Sequence, residues 1–99
     1  MSETIIKEMS LMCNPDVVLR EEDEDGGLLF NPDTNQVKIV NTSGLFIWKE
    51  FKTVNTPETV EGSVLKNFEN ATPEVVHVDL EEFLQDMLAT GFIGEVKES

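Results

Sequence analysis

Carboxylates are the residues of this chain whose type and spacing could support chemistry. Asp79, Glu82 and Asp86 lie three and four residues apart, so they would share one face of a helix. Two carboxylates can act as general acid and general base when burial shifts the pKa of one of them. Because further acids crowd the same segment, the pattern favours a solvated acidic face over a catalytic pair.

A second acidic group, the run Glu21 to Asp25, could supply oxygen ligands to calcium. It lacks the spaced ligand pattern of a calcium-binding loop and leads directly into Gly26 and Gly27. The run is therefore interpreted as a solvated turn, with calcium binding as the alternative.

The other reactive residue types are isolated from partners. His77 is the one histidine and Cys13 the one cysteine, so a two-histidine metal site and an internal disulfide are both excluded. Ser10, Ser43 and Ser63 have no histidine or lysine motif beside them. We predict no catalytic activity, no cofactor and no metal. Cys13 is interpreted as a small apolar residue suited to a reducing cytoplasm, with a reactive thiol as the alternative.

Charge excludes some classes of partner. Twenty Asp and Glu against seven Lys and Arg give a net charge of −13, so nucleic acid is a poor partner and a basic peptide or protein a better one. The acids are uneven, since residues 67–96 contain seven Asp or Glu and no Lys or Arg. The start of the chain has no basic stretch followed by an apolar block, and no apolar run is long enough for a bilayer. We expect a cytoplasmic protein with no membrane association.

The elements that must position these residues begin with strands. Segments 16–22, 28–31 and 36–40 are rich in β-branched and apolar residues and are separated by turn formers. They predict a three-stranded antiparallel meander. A further short strand is predicted in GFIGEV, at residues 91–96.

After Val40 the apolar spacing changes to three and four, which predicts three helices. The first begins at Asn41 or Thr42, and the second and third begin at Thr56 and Thr72, each followed by proline and glutamate. The third runs to Thr90 and has one apolar stripe, formed by Val76, Leu80, Phe83, Leu84, Met87 and Leu88. Each helix thus offers one apolar face to the sheet, and the fold class is α+β.

The one tryptophan lies in the apolar cluster Leu45 to Phe51 of the first helix. Trp48 is large enough to fill the junction between the helices and the meander. It is predicted to be a core residue, with ligand stacking as the alternative.

The order and spacing of these motifs, from about Asn14 to Ile93, resemble the family of the coenzyme PQQ synthesis protein D. The residues that carry the resemblance are Leu29, Asn31, Pro32, Asp33, Thr34, Asn41, Gly44, Ile47, Trp48, Thr56, Val60, Asp79, Phe83, Leu84, Leu88 and Gly91. Members of this family are peptide chaperones, also called recognition elements of ribosomally made, modified peptides.

The resemblance implies a winged helix-turn-helix fold that binds the leader of a precursor peptide and presents it to a maturation enzyme, commonly a radical SAM enzyme. It leaves a homodimer open. Residues 1–13 would be an N-terminal segment free to be flexible, 14–94 the PqqD-like domain and 95–99 a C-terminal tail. The leader would pair with the third strand and contact the third helix. The expected peptide-binding residues are Gln36, Val37, Lys38, Ile39, Val40, Val76, Asp79, Leu80, Phe83 and Met87.

Two other classes remain open at this point. One is an acidic winged-helix regulatory protein that mimics or sequesters a partner; direct DNA reading is disfavoured because the third helix has no Lys or Arg. The other is a structural adaptor or small enzyme subunit.

Overall fold

A computed structural model describes residues 9–22 and 26–96, which form an α+β fold. The strands are β1 (Leu11–Cys13), β2 (Val18–Glu21), β3 (Gly27–Asn31), β4 (Gln36–Val40) and β5 (Ile93–Glu95). The helices are α1 (Thr42–Glu50), α2 (Pro57–Asn67) and α3 (Pro73–Ala89). The prediction of a three-stranded antiparallel sheet followed by three helices is confirmed. Expectations for residues 1–8, 97–99 and the last three residues of the acidic run, 23–25, lie outside the described residues.

The main sheet has the strand order β2-β3-β4, with both pairs antiparallel. The buried Asn31 shapes the β3–β4 turn, since its Oδ1 accepts a hydrogen bond from the Asp33 amide at 3.0 Å. Its Nδ2 also donates to the Gly91 carbonyl at 3.3 Å. One side chain thus forms the turn and ties it to the end of α3.

The start of β3 depends on a glycine. Gly26 has a φ of +113°, and a Cβ there would overlap the carbonyl oxygen of Val40 at the end of β4. Only a residue without a side chain fits this conformation and this close approach. Gly26 therefore fixes where β3 meets the end of β4.

A second, two-stranded sheet joins the two ends of the described chain. β1 pairs antiparallel with β5, with Cys13 opposite Ile93, which agrees with the short final strand predicted in residues 91–96. Leu11, Cys13 and Ile93 are all buried. Residues 11–13, which were expected in the N-terminal segment, form a strand, and two of them lie in the core.

The helices begin at the predicted caps. The Asn41 side chain accepts a hydrogen bond from the Gly44 amide at 2.8 Å, and the Thr56 side chain accepts one from the Thr59 amide at 3.3 Å. Thr72 precedes α3 in an extended conformation but makes no side-chain capping bond. Pro57 and Pro73 occupy the first helical positions, where a missing N–H costs little.

The core lies where α1 packs against the other two helices and the sheets. Trp48 is 2% exposed and packs in a cluster with residues from every helix and from both sheets, so its prediction as a core residue is confirmed. Within the described ranges, no helix is both long enough and apolar enough to cross a membrane.

Candidate functional site

The outer edge of β4 is the feature that an added strand could use. β4 lies at one side of the sheet, and among the described residues it pairs with β3 alone. An antiparallel edge strand directs the N–H and C=O groups of alternate residues away from its partner. The backbone of Gln36–Val40 therefore offers donors and acceptors to an extended peptide.

The side chains of β4 point to two different surfaces. Val40 is buried and Lys38 reaches α3, whereas Val37 and Ile39 are 58% and 83% exposed on the opposite face. That outer face is mostly apolar; its residues are Val18, Arg20, Leu28, Phe30, Val37 and Ile39. Val37 and Ile39 can thus contribute to the predicted site through their backbone, while their side chains face away from α3.

The predicted site residues of α3 also differ in how much of their surface is exposed. Val76, Leu80 and Met87 are buried at 7%, 2% and 2% exposure, so most of their surface packs in the core. Asp79 is exposed and Phe83 is half-buried. Of the predicted residues of this helix, these two present the most surface to a ligand.

β4 lies beside α3, and contacts between them define their relative direction. Lys38 Nζ lies 2.8 Å from Asp86 Oδ2. Further along, a Cβ built on Gly44 would lie 3.2 Å from the Val40 side chain and 3.6 Å from the ring of Phe83. Lys38 thus lies beside Asp86, whereas Val40, two residues later, lies nearer to Phe83, three residues earlier on α3. α3 therefore runs antiparallel to β4. We call the surface between these two elements the β4–α3 groove. It is bounded by Gln36–Val40 and by Asp79, Phe83 and Asp86.

A cleft of about 330 Å³ opens between α1, the α2–α3 loop and the first half of α3. Its lining residues are Ser43, Ile47, Val64, Phe68, Glu69, Asn70, Ala71, Val75, Val76, Asp79 and Leu80. We call it the α1–α3 cleft. Three predicted site residues, Val76, Asp79 and Leu80, line it. This volume is within the range of small-ligand pockets.

The sequence analysis missed most of this cleft and one pairing in the groove. Asp86 was recognised as a helix acid, but its contact with Lys38 joins residues that are far apart in the chain. The spacing of Asp79 and Asp86, seven residues or two helical turns, is the signal that could have placed both along one groove. Phe68 caps the end of α2 and Ala71 lies in the loop that follows, and nothing in the sequence marks either of them as a neighbour of α3.

The two residues with reactive side chains lie away from the groove. Burial raises the pKa of the Cys13 thiol to about 12, against a smaller opposing effect of Lys52, and its Sγ donates to the Trp48 carbonyl at 3.2 Å. His77 Nδ1 lies 3.2 Å from Glu61 Oε1, where it links α3 to α2. Both residues serve packing or helix contacts in this arrangement.

Comparisons with known proteins identify a family and several solved structures that this chain resembles. The family model of coenzyme PQQ synthesis protein D, PqqD, matches residues 26–93. No curated protein sequence matches the chain significantly.

Among solved structures, TbiB1 in complex with the TbiA(beta) leader peptide is similar, with a TM-score of 0.74 at 18% identity over 88% of this chain and 99% of that one. A lasso peptide synthetase B1 complexed with the leader peptide gives 0.68 at 13% identity, covering 84% and 95%. The PqqD truncation of Methylobacterium extorquens PqqCD, a stand-alone recognition element for ribosomally synthesized and post-translationally modified peptides, gives 0.71 at 15% identity, covering 94% and 98%. These likenesses establish a shared fold.

Proposed function

The chain belongs to the coenzyme PQQ synthesis protein D family, and from that premise we propose that it binds the leader of a ribosomally made precursor peptide and presents it to a maturation enzyme. The leader pairs as an added strand with β4, in the β4–α3 groove. The observation that carries this proposal is the backbone edge of Gln36–Val40, which no other described strand covers, beside the acidic helix α3. Two structures of the same fold, each complexed with a leader peptide, support it.

The physical basis is strand addition. Backbone hydrogen bonds along an exposed edge supply affinity that depends little on sequence, and neighbouring side chains supply specificity. In this chain the specificity comes from the groove: Phe83 offers apolar surface and Asp79 offers negative charge. Lys38 balances the charge of Asp86, so Asp79 supplies the negative charge that remains.

The protein in this proposal does no chemistry itself. In this proposal the maturation enzyme is a radical SAM enzyme. It modifies the core of the precursor while the chain holds the leader. A cytoplasmic location is part of the proposal, and the buried, protonated Cys13 suits a reducing compartment. Purified chain mixed with a precursor, reductant and S-adenosylmethionine should leave the peptide mass unchanged.

The test uses leader peptides encoded by short genes beside the gene for this chain. Each synthetic leader, labelled with a fluorophore, is titrated with the full chain and its anisotropy is recorded. A scrambled leader of the same composition is the matched control, because it keeps charge and hydrophobicity but loses the order of side chains. Saturable binding of one leader and not its scrambled form supports the function; equal binding of both contradicts it.

A further inference from the structure

The α1–α3 cleft has an apolar interior. Its inner surface comes from buried side chains, chiefly Ile47, Val64 and Leu80, and from the half-buried Phe68. At its rim, Val75 is 57% exposed and adds apolar surface that faces solvent. The cleft is therefore an apolar depression that remains open to solvent.

The cleft lies at the end of the β4–α3 groove. Ser43, which lines the cleft, follows the last residue of β4, Val40, by three positions. On the opposite wall Asp79 borders both features, one helical turn before Phe83. A strand that pairs with β4 and continues past Val40 therefore comes to the mouth of this cleft.

The charged residues of the cleft are all acidic. Glu69 and Asp79 are exposed at its rim, and no Lys or Arg of the described chain lines it. An occupant that combines an apolar side chain with a positive charge is complementary to it, because the side chain leaves water while the charge stays at the solvated acids.

We propose that the α1–α3 cleft is an anchor site that takes one large apolar side chain of the bound peptide, and that Glu69 and Asp79 select peptides with Lys or Arg next to that side chain. This inference rests on the proposed function and names the class of leader that the groove accepts. An aliphatic or aromatic side chain followed or preceded by a base is the motif it predicts.

The probe is a displayed library of random-sequence peptides, selected on the full-length chain. Enriched peptides should share a large apolar residue with Lys or Arg beside it. The best binder is then titrated by fluorescence anisotropy with two matched variants, Val75→Lys and Val78→Lys. Both positions are exposed valines of α3, and Val75 lines the cleft whereas Val78 does not.

Val75→Lys should weaken binding by about tenfold or more, because a base at the rim removes apolar contact and repels the basic peptide. Val78→Lys should change affinity less than about twofold, as expected for an exposed side chain outside the cleft. If Val75→Lys does not fold, Val75→Ser takes its place, because it removes apolar surface without adding charge.

A second pair of variants tests the charge at the rim. Asp79→Asn should lower the affinity about two- to fivefold. Glu74 is an exposed acid of α3 outside the cleft, so Glu74→Gln should leave the affinity unchanged.

The outcomes separate this inference from the proposed function. The anchor site alone would be overturned if the selected peptides bind a folded Ile39→Pro variant more weakly but bind Val75→Lys and Val75→Ser with unchanged affinity. Peptides that bind a folded Ile39→Pro variant normally would overturn strand addition itself. Enriched peptides without the apolar and basic pair would also overturn the anchor site.

Discussion

Lys38 Nζ on β4 lies 2.8 Å from Asp86 Oδ2 on α3, and this ion pair spans the groove in which we place the peptide. The Lys38 side chain is 19% exposed and its ammonium lies 5.3 Å from the centroid of the Phe92 ring. Lys38 is thus held between a carboxylate and an aromatic face. The pair fixes the spacing between the sheet edge and the helix at one end of the groove.

Asp86→Asn should therefore destabilise the protein by about 1 kcal/mol relative to Glu82→Gln. Both changes remove one exposed carboxylate from the same helix and reduce the repulsion among its acids to a similar extent. Of the two residues, only Asp86 contacts Lys38. Urea unfolding at low and high salt measures the difference, which salt should reduce. Equal stability of the two variants would show that the pair contributes nothing.

The arrangement of local elements could be predicted from the sequence because each has a local cause. Thr56 and Thr72 mark helix starts together with the prolines that follow them, and residues 32–35 form a turn from turn-forming residue types. The burial of Trp48 follows from its place in an apolar cluster. Each of these signals lies within a few residues of the feature that it predicts.

Contacts between distant segments could not be predicted in the same way. Leu11 is fully buried because β1 pairs with β5 and bridges to Asn55, and only the folded chain brings these segments together. The face on which the side chains of Val37 and Ile39 lie is a further example, because strand alternation turns them to the outer face when Lys38 and Val40 face the helices. For residues on one strand, the choice of face depends on which side the helices cover.

Trp48 provides a direct test of the core. At 2% exposure its indole fluorescence should be blue-shifted in the native protein and should shift to the red on unfolding. Trp48→Ala should cost about 3–5 kcal/mol, a large fraction of the stability of a small domain. An emission spectrum typical of exposed tryptophan before any denaturant is added would contradict the packing described here.

The buried thiol of Cys13 should make stability depend on pH in the alkaline range. Its pKa is raised from the ordinary 9.0 to about 12, mainly by burial. Above pH 9 the unfolded chain loses this proton while the folded chain keeps it, so the unfolded state binds fewer protons and stability falls as pH rises toward 12. Cys13→Ala should flatten this fall in urea unfolding curves. A native thiol that reacts with iodoacetamide at pH 8 as fast as the unfolded one would contradict its burial.

The exposed acids of α3 should control the rate of association more than the lifetime of the complex. The double variant Asp79→Asn, Glu82→Gln should slow binding of a basic leader and flatten its salt dependence, because screened surface charges mainly steer encounter. The control, Glu58→Gln with Glu95→Gln, removes the same charge from exposed positions on α2 and β5. Stopped-flow binding at several salt concentrations distinguishes them. A change confined to the dissociation rate would indicate direct contacts in place of steering.

The strand-addition model makes its sharpest prediction at Ile39. Its side chain is 83% exposed, so replacing it removes little packing. Ile39→Pro also removes the backbone N–H, whereas Ile39→Ala shortens the side chain and keeps that donor. If the amide of Ile39 faces the free edge, the proline variant should keep its fold, as edge strands tolerate proline there, and should lose most of its affinity for the leader. The affinity of the Ile39→Ala variant for the leader should stay within a few-fold of that of the unchanged chain.

The neighbouring position supplies the reciprocal test. Because amides of adjacent residues in an antiparallel strand point to opposite edges, Lys38→Pro should then remove a bond to β3 and destabilise the sheet. Circular dichroism and urea unfolding of both variants establish which amide faces outward before binding is compared. If the proline variant with the intact fold binds its leader as tightly as the alanine variant, the peptide does not pair with β4, and its affinity must come from side-chain contacts alone.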